Sequence, residues 1–259
     1  MNRLCPLCSA TKSDVIKQIE YKDINYLIGK CQQCNFVYVI NPNFDTVSKD
    51  KSSDIPQTPS PKKRHFQIEQ LINSYYKKQE TIDVLEVGSG YGTLAKTLAK
   101  KSRYNYIGFE PNTTRYRVCQ QQNLNVKNCF FSADAIDFFV DVVVIDNVLE
   151  HVLEPKTLIE NAAKVLNKNG MLIVIVPNYR DARQFIPAWK KRHFWQPSCH
   201  INYFTNYHLK ALYRENKLSF SPFGLSSLNL KKDWAFIPKV LMDLINIYPL
   251  GLYCYGIKK

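Results

Sequence analysis

Four cysteines stand in two pairs, Cys5-x-x-Cys8 and Cys31-x-x-Cys34, with 22 residues between the pairs. Each pair can turn two thiolates toward one ion, and two pairs complete the closed tetrahedral set that structural zinc prefers. The interval is slightly longer than the usual 15–20 residues, which a longer hairpin between the knuckles absorbs. Pro6 favours the tight turn inside the first pair. Asn35, after the second pair, tolerates the left-handed backbone that such knuckles require, and Ser9 in the matching place suits it less well. A four-thiolate site has no open position for a substrate, so Cys5, Cys8, Cys31 and Cys34 are assigned to folding around Zn2+. Eight cysteines in 259 residues are too few and too unevenly spread for a disulfide scaffold.

A second group follows an apolar run: Val84-Leu85-Glu86-Val87-Gly88-Ser89-Gly90-Tyr91-Gly92. Glycines at 88, 90 and 92 let the chain turn sharply from strand into helix and let a ligand touch the backbone. The spacing is G-x-G-x-G and not the G-x-G-x-x-G of a dinucleotide site. Glu86, two positions before the first glycine, would repel a pyrophosphate but suits a cationic ligand. After the next strand comes Gly108-Phe109-Glu110-Pro111-Asn112, whose Glu110 can accept both hydrogen bonds of a ribose diol. After the third, Ser132-Ala133-Asp134-Ala135 offers a carboxylate to an adenine amine.

These groups need elements to hold them. Val15–Tyr21, Tyr26–Lys30 and Phe36–Ile40 read as short strands of a ribbon. The stretch from Asn41 to Pro61 holds four prolines and no periodicity, as a linker does. A helix is expected from Lys62, where Phe66, Ile68, Leu71, Ile72 and Tyr75 recur at helical spacing. Beyond it, Ile82–Val87, Tyr104–Phe109, Val126–Phe131, Val142–Ile145 and Met171–Val176 alternate with helical patterns at Leu94–Lys100, Thr113–Gln122 and Pro155–Leu166. Strands apolar throughout are buried on both faces, hence a parallel sheet covered by helices. Leu252–Ile257 reads as the last strand.

Composition bounds the function. The chain carries 35 Lys+Arg against 22 Asp+Glu, nearly all of the surplus lying beyond residue 61. A positive field favours acidic partners, but the ribbon is nearly neutral and therefore a poor phosphate clamp. No secretory signal opens the sequence and no run of about 18 apolar residues occurs, so a cytoplasmic protein without a transmembrane segment is expected.

The motifs in order, from Val84 to Asn178, resemble the class I S-adenosylmethionine-dependent methyltransferases. Glu86–Gly92 resembles that family's first motif, Glu110 its ribose acid and Asp134 its adenine-side acid. Asp146-Asn147-Val148-Leu149-Glu150-His151-Val152 resembles the segment after strand 4, and Leu166–Leu172 the turn into strand 5. The resemblance implies an α/β, Rossmann-like domain with a mostly parallel seven-stranded sheet, here preceded by a small zinc ribbon. The expected division is ribbon 1–42, linker 43–61 and methyltransferase domain 62–259. It also implies S-adenosylmethionine held by Glu86, Gly88, Ser89, Gly90, Tyr91, Glu110, Pro111, Asp134, Ala135 and Asn147.

The ribbon before such a domain is similar to that of zinc-containing methyltransferases of sugar and natural-product pathways. His200-Ile201-Asn202-Tyr203-Phe204-Thr205, leading into a helix at Tyr207–Glu215, resembles their H-x-x-x-F-[ST] motif. In the sugar C-methyltransferases a Glu precedes that His; here Cys199 stands there, so O-, N- and C-methylation all stay open. The resemblance makes His200 the first candidate base, with His151 or Tyr203 assisting, and a small-molecule acceptor the expected substrate. The basic run Arg180–Arg192 could hold an anionic acceptor, and Trp189 and Trp195 a flat one. His193 is a weaker base candidate. Trp234, Ile237, Leu241, Leu244, Ile245 and Tyr248 make a helical stripe fit for a core or a dimer face. Two other classes compete: an RNA methyltransferase, disfavoured by the neutral ribbon and by the lack of an Asn/Asp-Pro-Pro-aromatic motif after strand 4, and a non-catalytic scaffold, disfavoured by the intact acids and glycines.

Overall fold

The computed structural model describes residues 3–43, 59–181, 195–223 and 251–259. Two sheets organise them. The larger is built from β4 (Ile82–Val87), β5 (Tyr104–Phe109), β6 (Val126–Lys127), β7 (Val140–Asp146), β8 (Leu166–Val176), β10 (Ser221–Pro222) and β11 (Leu252–Ile257). Its order is β10-β11-β8-β7-β4-β5-β6, parallel except that β11 runs against β8 and β10 against β11. The expected seven-stranded, mostly parallel sheet is therefore present. Val142, Val143, Val144 and Ile145 are all fully buried, as a strand covered on both faces must be. Around the sheet lie α1 (Lys63–Tyr75), α2 (Thr93–Leu98), α3 (Thr113–Gln121), α4 (Pro155–Lys164) and α5 (Asn206–Glu215).

Sequence order runs outward from β4 through β5 to β6 on one side, and from β7 to β8 on the other. The reversal between β4 and β7 opens a crevice at their carboxyl ends, where open α/β sheets bind ligands. Glu86 lies at the end of β4 and Asp146 at the end of β7.

One strand is shorter than its sequence pattern. Val126–Phe131 was expected, but pairing stops at Lys127. β6 is an edge, and the Asn128 side chain donates to the Glu110 and Pro111 carbonyls at 2.9 and 3.2 Å, drawing the chain away from the ladder. Phe130 is left 81% exposed. β8, in contrast, begins earlier than Met171. Its pairing with β7 jumps from Val140↔Leu166 to Val142↔Met171, so the turn read at Asn167–Gly170 persists as an excursion within the strand.

The smaller sheet has the order β1-β2-β3-β9, from β1 (Ser13–Tyr21), β2 (Ile24–Cys31), β3 (Val37–Val39) and β9 (Asn202–Tyr203). Both knuckles place a left-handed residue after the second cysteine, Ser9 at φ 58° and Asn35 at φ 60°. Ser9 thus adopts the conformation that its residue type disfavours, at the cost such a residue carries. Because β9 comes from the far end of the chain, the ribbon is stitched to the segment that begins at His200. Val37 pairs with Tyr203 and Tyr38 with Asn202, and the Val39 amide donates to the Ile201 carbonyl at 3.0 Å. Phe36 packs on Phe204 and His208, with ring centroids 5.1 and 5.0 Å apart. Among the described residues no helix is long and apolar enough to cross a membrane. Most of the linker, the basic run beyond Asp181, Trp189, His193 and the Trp234–Tyr248 stripe lie outside the described residues.

Candidate active site

The glycine turn is built for close approach. Gly88, Gly90 and Gly92 all have positive φ, at 71°, 55° and 72°. A Cβ at Gly88 would meet Val148 Cγ2 at 2.5 Å, whereas a Cβ at Gly90 would meet nothing within 4 Å. Gly90 therefore borders open space and Gly88 packs against the neighbouring loop. The amides of Gly88 and Ser89 both donate to the Phe109 carbonyl, at 2.8 and 3.0 Å, tying the turn to the end of β5.

Glu110, at the end of β5, is 3% exposed. Its two oxygens accept from the Gly90 amide at 2.7 Å and the Asn112 amide at 2.9 Å. This clamp fixes the orientation of the carboxylate. Pro111 follows it, and Asn112 caps α3 by accepting from the Arg115 amide at 3.0 Å. The Arg115 guanidinium stands over the Tyr91 ring at 5.8 Å. Asp134 sits exposed on a short 3-10 turn, Ala133–Ala135, capped by Ser132.

Glu86 is buried beneath the turn, where it accepts a hydrogen bond from the Tyr106 hydroxyl. The Tyr106 oxygen also lies 3.1 Å from Ser89 Oγ. Burial drives the Glu86 carboxyl well above its ordinary range, and Asp146 and Glu110 add to the shift. A carboxyl whose folded-state pKa is raised loses stability as pH climbs from the unfolded value toward the folded one. Glu86→Gln keeps the acceptor for Tyr106 and removes the charge. It should raise the melting temperature of the ligand-free protein at pH 7–8 by about 2–4 °C, corresponding to roughly 1 kcal/mol, and flatten the loss between pH 5 and 8. Calorimetric melts across that range check it; a lower melting temperature in the variant refutes it.

Three groups at the site were not singled out in the sequence. Arg64 Nε donates to Asp146 Oδ2 at 2.6 Å, and His65 Nε2 lies 3.4 Å from the same oxygen, so α1 closes over the crevice. Asp146 Oδ1 is buried with no hydrogen-bond partner among the described residues. No spacing signals a contact between Arg64 and Asp146 across 82 positions. Tyr106 and Gly108 are the second: a Cβ on Gly108 would come within 2.1 Å of Ser89 Oγ, so the turn needs glycine there. The third is Glu150, beside His151, for which the sequence did carry a signal, an acid directly after a buried strand and short turn.

His151 and His200, far apart in sequence, are brought together with ring centroids 5.0 Å apart. The Glu150 carbonyl accepts from the Ile201 and Asn202 amides at 2.9 and 3.1 Å, which joins the loop after β7 to the segment before β9. His151 Nδ1 lies 2.7 Å from the Cys199 carbonyl, an acceptor only, so Nδ1 carries the proton and Nε2 keeps its lone pair. Burial lowers the pKa of His151 and, with His151 beside it, takes that of His200 down to about 4. Both shifts favour the neutral imidazole. Tyr203 does not join the pair in a hydrogen bond. It is buried against Trp195 and Tyr179, at ring distances of 5.0 and 6.2 Å, and burial pushes its hydroxyl far above the usual range. Asn147, at φ 53°, turns the chain out of β7 above the crevice.

The sulfurs of Cys5, Cys8, Cys31 and Cys34 lie within 4.8 Å of one another, with Cys5–Cys34 and Cys8–Cys31 each at 3.5 Å. That is too long for a disulfide. It is close to the edge of about 3.8 Å in a tetrahedron with Zn–S of about 2.3 Å. The donor set fits zinc.

Comparison with known proteins agrees with this geometry. The family model described as a methyltransferase domain matches residues 62–219, more than half of the chain. The chain belongs to that family, and the class that fold and family define is the S-adenosylmethionine-dependent methyltransferases. Among solved structures, the YcgJ protein of Bacillus subtilis is 16% identical with a TM-score of 0.51, covering 75% of this chain and 99% of its own. The plantazolicin methyltransferase BamL, solved with a desmethyl-plantazolicin analogue and S-adenosylhomocysteine, is 13% identical at TM-score 0.55, covering 75% and 84%. A complex of the Haloferax volcanii Trm112 activator with a methyltransferase gives 13%, 0.51, 75% and 90%. At such identities the likeness is one of fold. No curated protein matches the chain.

Proposed function

We propose that the chain methylates a small-molecule acceptor of sugar, nucleotide-sugar or natural-product type, with an RNA acceptor as the alternative that salt-dependent RNA binding would reveal. The observation that carries the reading is the open space at Gly90, flanked by the clamped Glu110 carboxylate and the buried Glu86. Glu110 would hold the ribose diol. Glu86 would face the cationic end of S-adenosylmethionine, and Gly88, Ser89, Gly90, Tyr91, Pro111 and Asn147 would line the backbone cradle. Asp134 and Ala135 would meet the adenine side. The bound cofactor supplies an electrophilic methyl group on a sulfonium. The protein's part is to align the acceptor, exclude water and take up a proton.

His200 would take that proton, with His151 Nε2 beside it and Tyr203 backing the pair. Residues 1–42 would be a ribbon folded by one zinc, 43–61 its linker and 62–259 the catalytic domain. Eight cysteines, four of them paired as metal ligands, are few for a disulfide scaffold, which supports a reducing, cytoplasmic setting.

Isothermal calorimetry tests the cofactor site. Leaving the partners of a buried group unpaired costs about 1–3 kcal/mol. Glu110→Ala should therefore weaken S-adenosylmethionine binding about 5- to 150-fold. Folded wild-type protein that shows no binding at millimolar cofactor would overturn the reading.

A further inference from the structure

Glu150 is an anomaly that the methyl-transfer reading does not use. It is 1% exposed, and both of its carboxylate oxygens are buried without a hydrogen-bond partner among the described residues. Burial pushes its carboxyl up to about 8, as an acid without a cation beside it requires. The charged groups around it are Asp146, another acid, and Arg64, whose guanidinium is engaged by Asp146. The backbone amide of Glu150 itself offsets the burial only in part.

What does face it is a ligand set. Glu150 Oε1 lies 3.7 Å from His151 Nε2. That nitrogen carries the free lone pair, because Nδ1 is spent on the Cys199 carbonyl. One ring nitrogen each from His151 and His200 and the sulfur of Cys199 lie within 4.8 Å of one another. The Cys199 sulfur lies 3.6 Å from the Gln196 carbonyl and from Gln196 Oε1. The His200 ring touches His151 and has no hydrogen bond among the described residues. A carbonyl oriented on the far nitrogen of His151 is also the arrangement that fixes a metal-ligating imidazole.

We propose that His151, Cys199 and His200, with the Glu150 carboxyl 3.7 Å from His151 Nε2, form a second cation site for a borderline-soft divalent metal, zinc first. Two imidazoles and a thiolate select zinc over magnesium or calcium. A thiolate ligand would offset part of the dication's charge. This deepens the proposed function and rests on it for its role only; with the cation bound, the imidazole lone pairs are engaged and the metal, not His200, would activate the acceptor. Zinc can expand to five ligands, so an acceptor hydroxyl could join the site, where a dication lowers its pKa.

The test is a metal count on the full chain after zinc saturation and desalting, with cobalt substitution as a second readout. Two zinc ions per chain are expected, falling to one in His200→Ala and in the near-isosteric Cys199→Ser. Cobalt should give two distinguishable absorption envelopes, one of a four-thiolate site and one of a mixed nitrogen–sulfur site. The second envelope should vanish in both variants. Glu150→Gln should weaken the second zinc at least tenfold. One zinc per chain, unchanged in His200→Ala and Cys199→Ser folded by circular dichroism, overturns the site. Neither readout involves methyl transfer. A protein with two zincs and no transferase activity therefore overturns the function and keeps the site, and one zinc with normal turnover does the reverse.

Discussion

Cys31→Ser is expected to empty the ribbon of its metal and to loosen a segment that lies 170 residues further along the chain. The outer strand of the ribbon has little else to hold it, whereas Tyr26, Ile28, Val37 and Val39 are buried on the inner side. In β1 most residues are exposed, including Val15 and Ile16, so the hairpin buries little on that side. Structural zinc supplies on the order of 10 kcal/mol or more of folding free energy in small domains of this kind. The loss should not stay local. β9 has only two residues and its partner in the smaller sheet is β3. The Cys34 carbonyl accepts from His208 Nε2 at 3.2 Å, and His208 Nδ1 accepts from Thr205 Oγ1 at 2.9 Å, so the second knuckle reaches directly into α5. Hydrogen exchange should show amides of 28–39 and 201–203 losing protection by at least a hundredfold. The glycine turn, tied to β5, should keep cofactor affinity within about threefold. Metal analysis should show one zinc fewer per chain. Full protection of 201–203 in a variant that has lost the ribbon metal would separate the ribbon from the site and sink the expectation.

What could be read from the sequence follows how local the determinant is. Strands β4 and β5 and the start of α4 sit at their expected residues, because uninterrupted apolar runs and Pro155 at the first helical turn are local signals. β6 was over-extended, since Cys129-Phe130-Phe131 is apolar yet meets no partner strand at a sheet edge. The glycine turn and Glu110 were legible because backbone geometry forces residue type: Gly88 and Gly92 have side chains of other segments where a Cβ would go. The Arg64–Asp146 pair was not legible, being a contact between a helix and a distant strand end that no periodicity encodes. The union of β3 with β9 was equally hidden. A two-residue strand carries no pattern, and edge pairing depends on which edges the rest of the fold leaves free. That union matters most for function, because it places the ribbon behind the His200 segment.

His200→Ala should lower turnover by about 10²–10⁴-fold, the range over which a general base contributes, and leave cofactor affinity nearly unchanged. The geometry gives the direction of both effects. His200 stands against His151 and beside the loop that follows β7, on the side of the crevice formed by the segment before β9. The cofactor-side clamp, Glu110 to the amides of Gly90 and Asn112, is built entirely from β5, the glycine turn and the start of α3. Removing the imidazole therefore takes a proton acceptor from one wall without touching the other. The measurement is single-turnover methyl transfer to an acceptor found by screening nucleotide sugars, with calorimetry on the same variant. Turnover within threefold of wild type across pH 6–9 would make His200 a packing residue and move the search to His151. Metal content of the variant decides how the ring acts. Activity lost at unchanged metal content means that His200 itself takes the proton. Activity lost together with one zinc means that the ring holds a cation which activates the acceptor, and Cys199→Ser should then fall by a comparable factor.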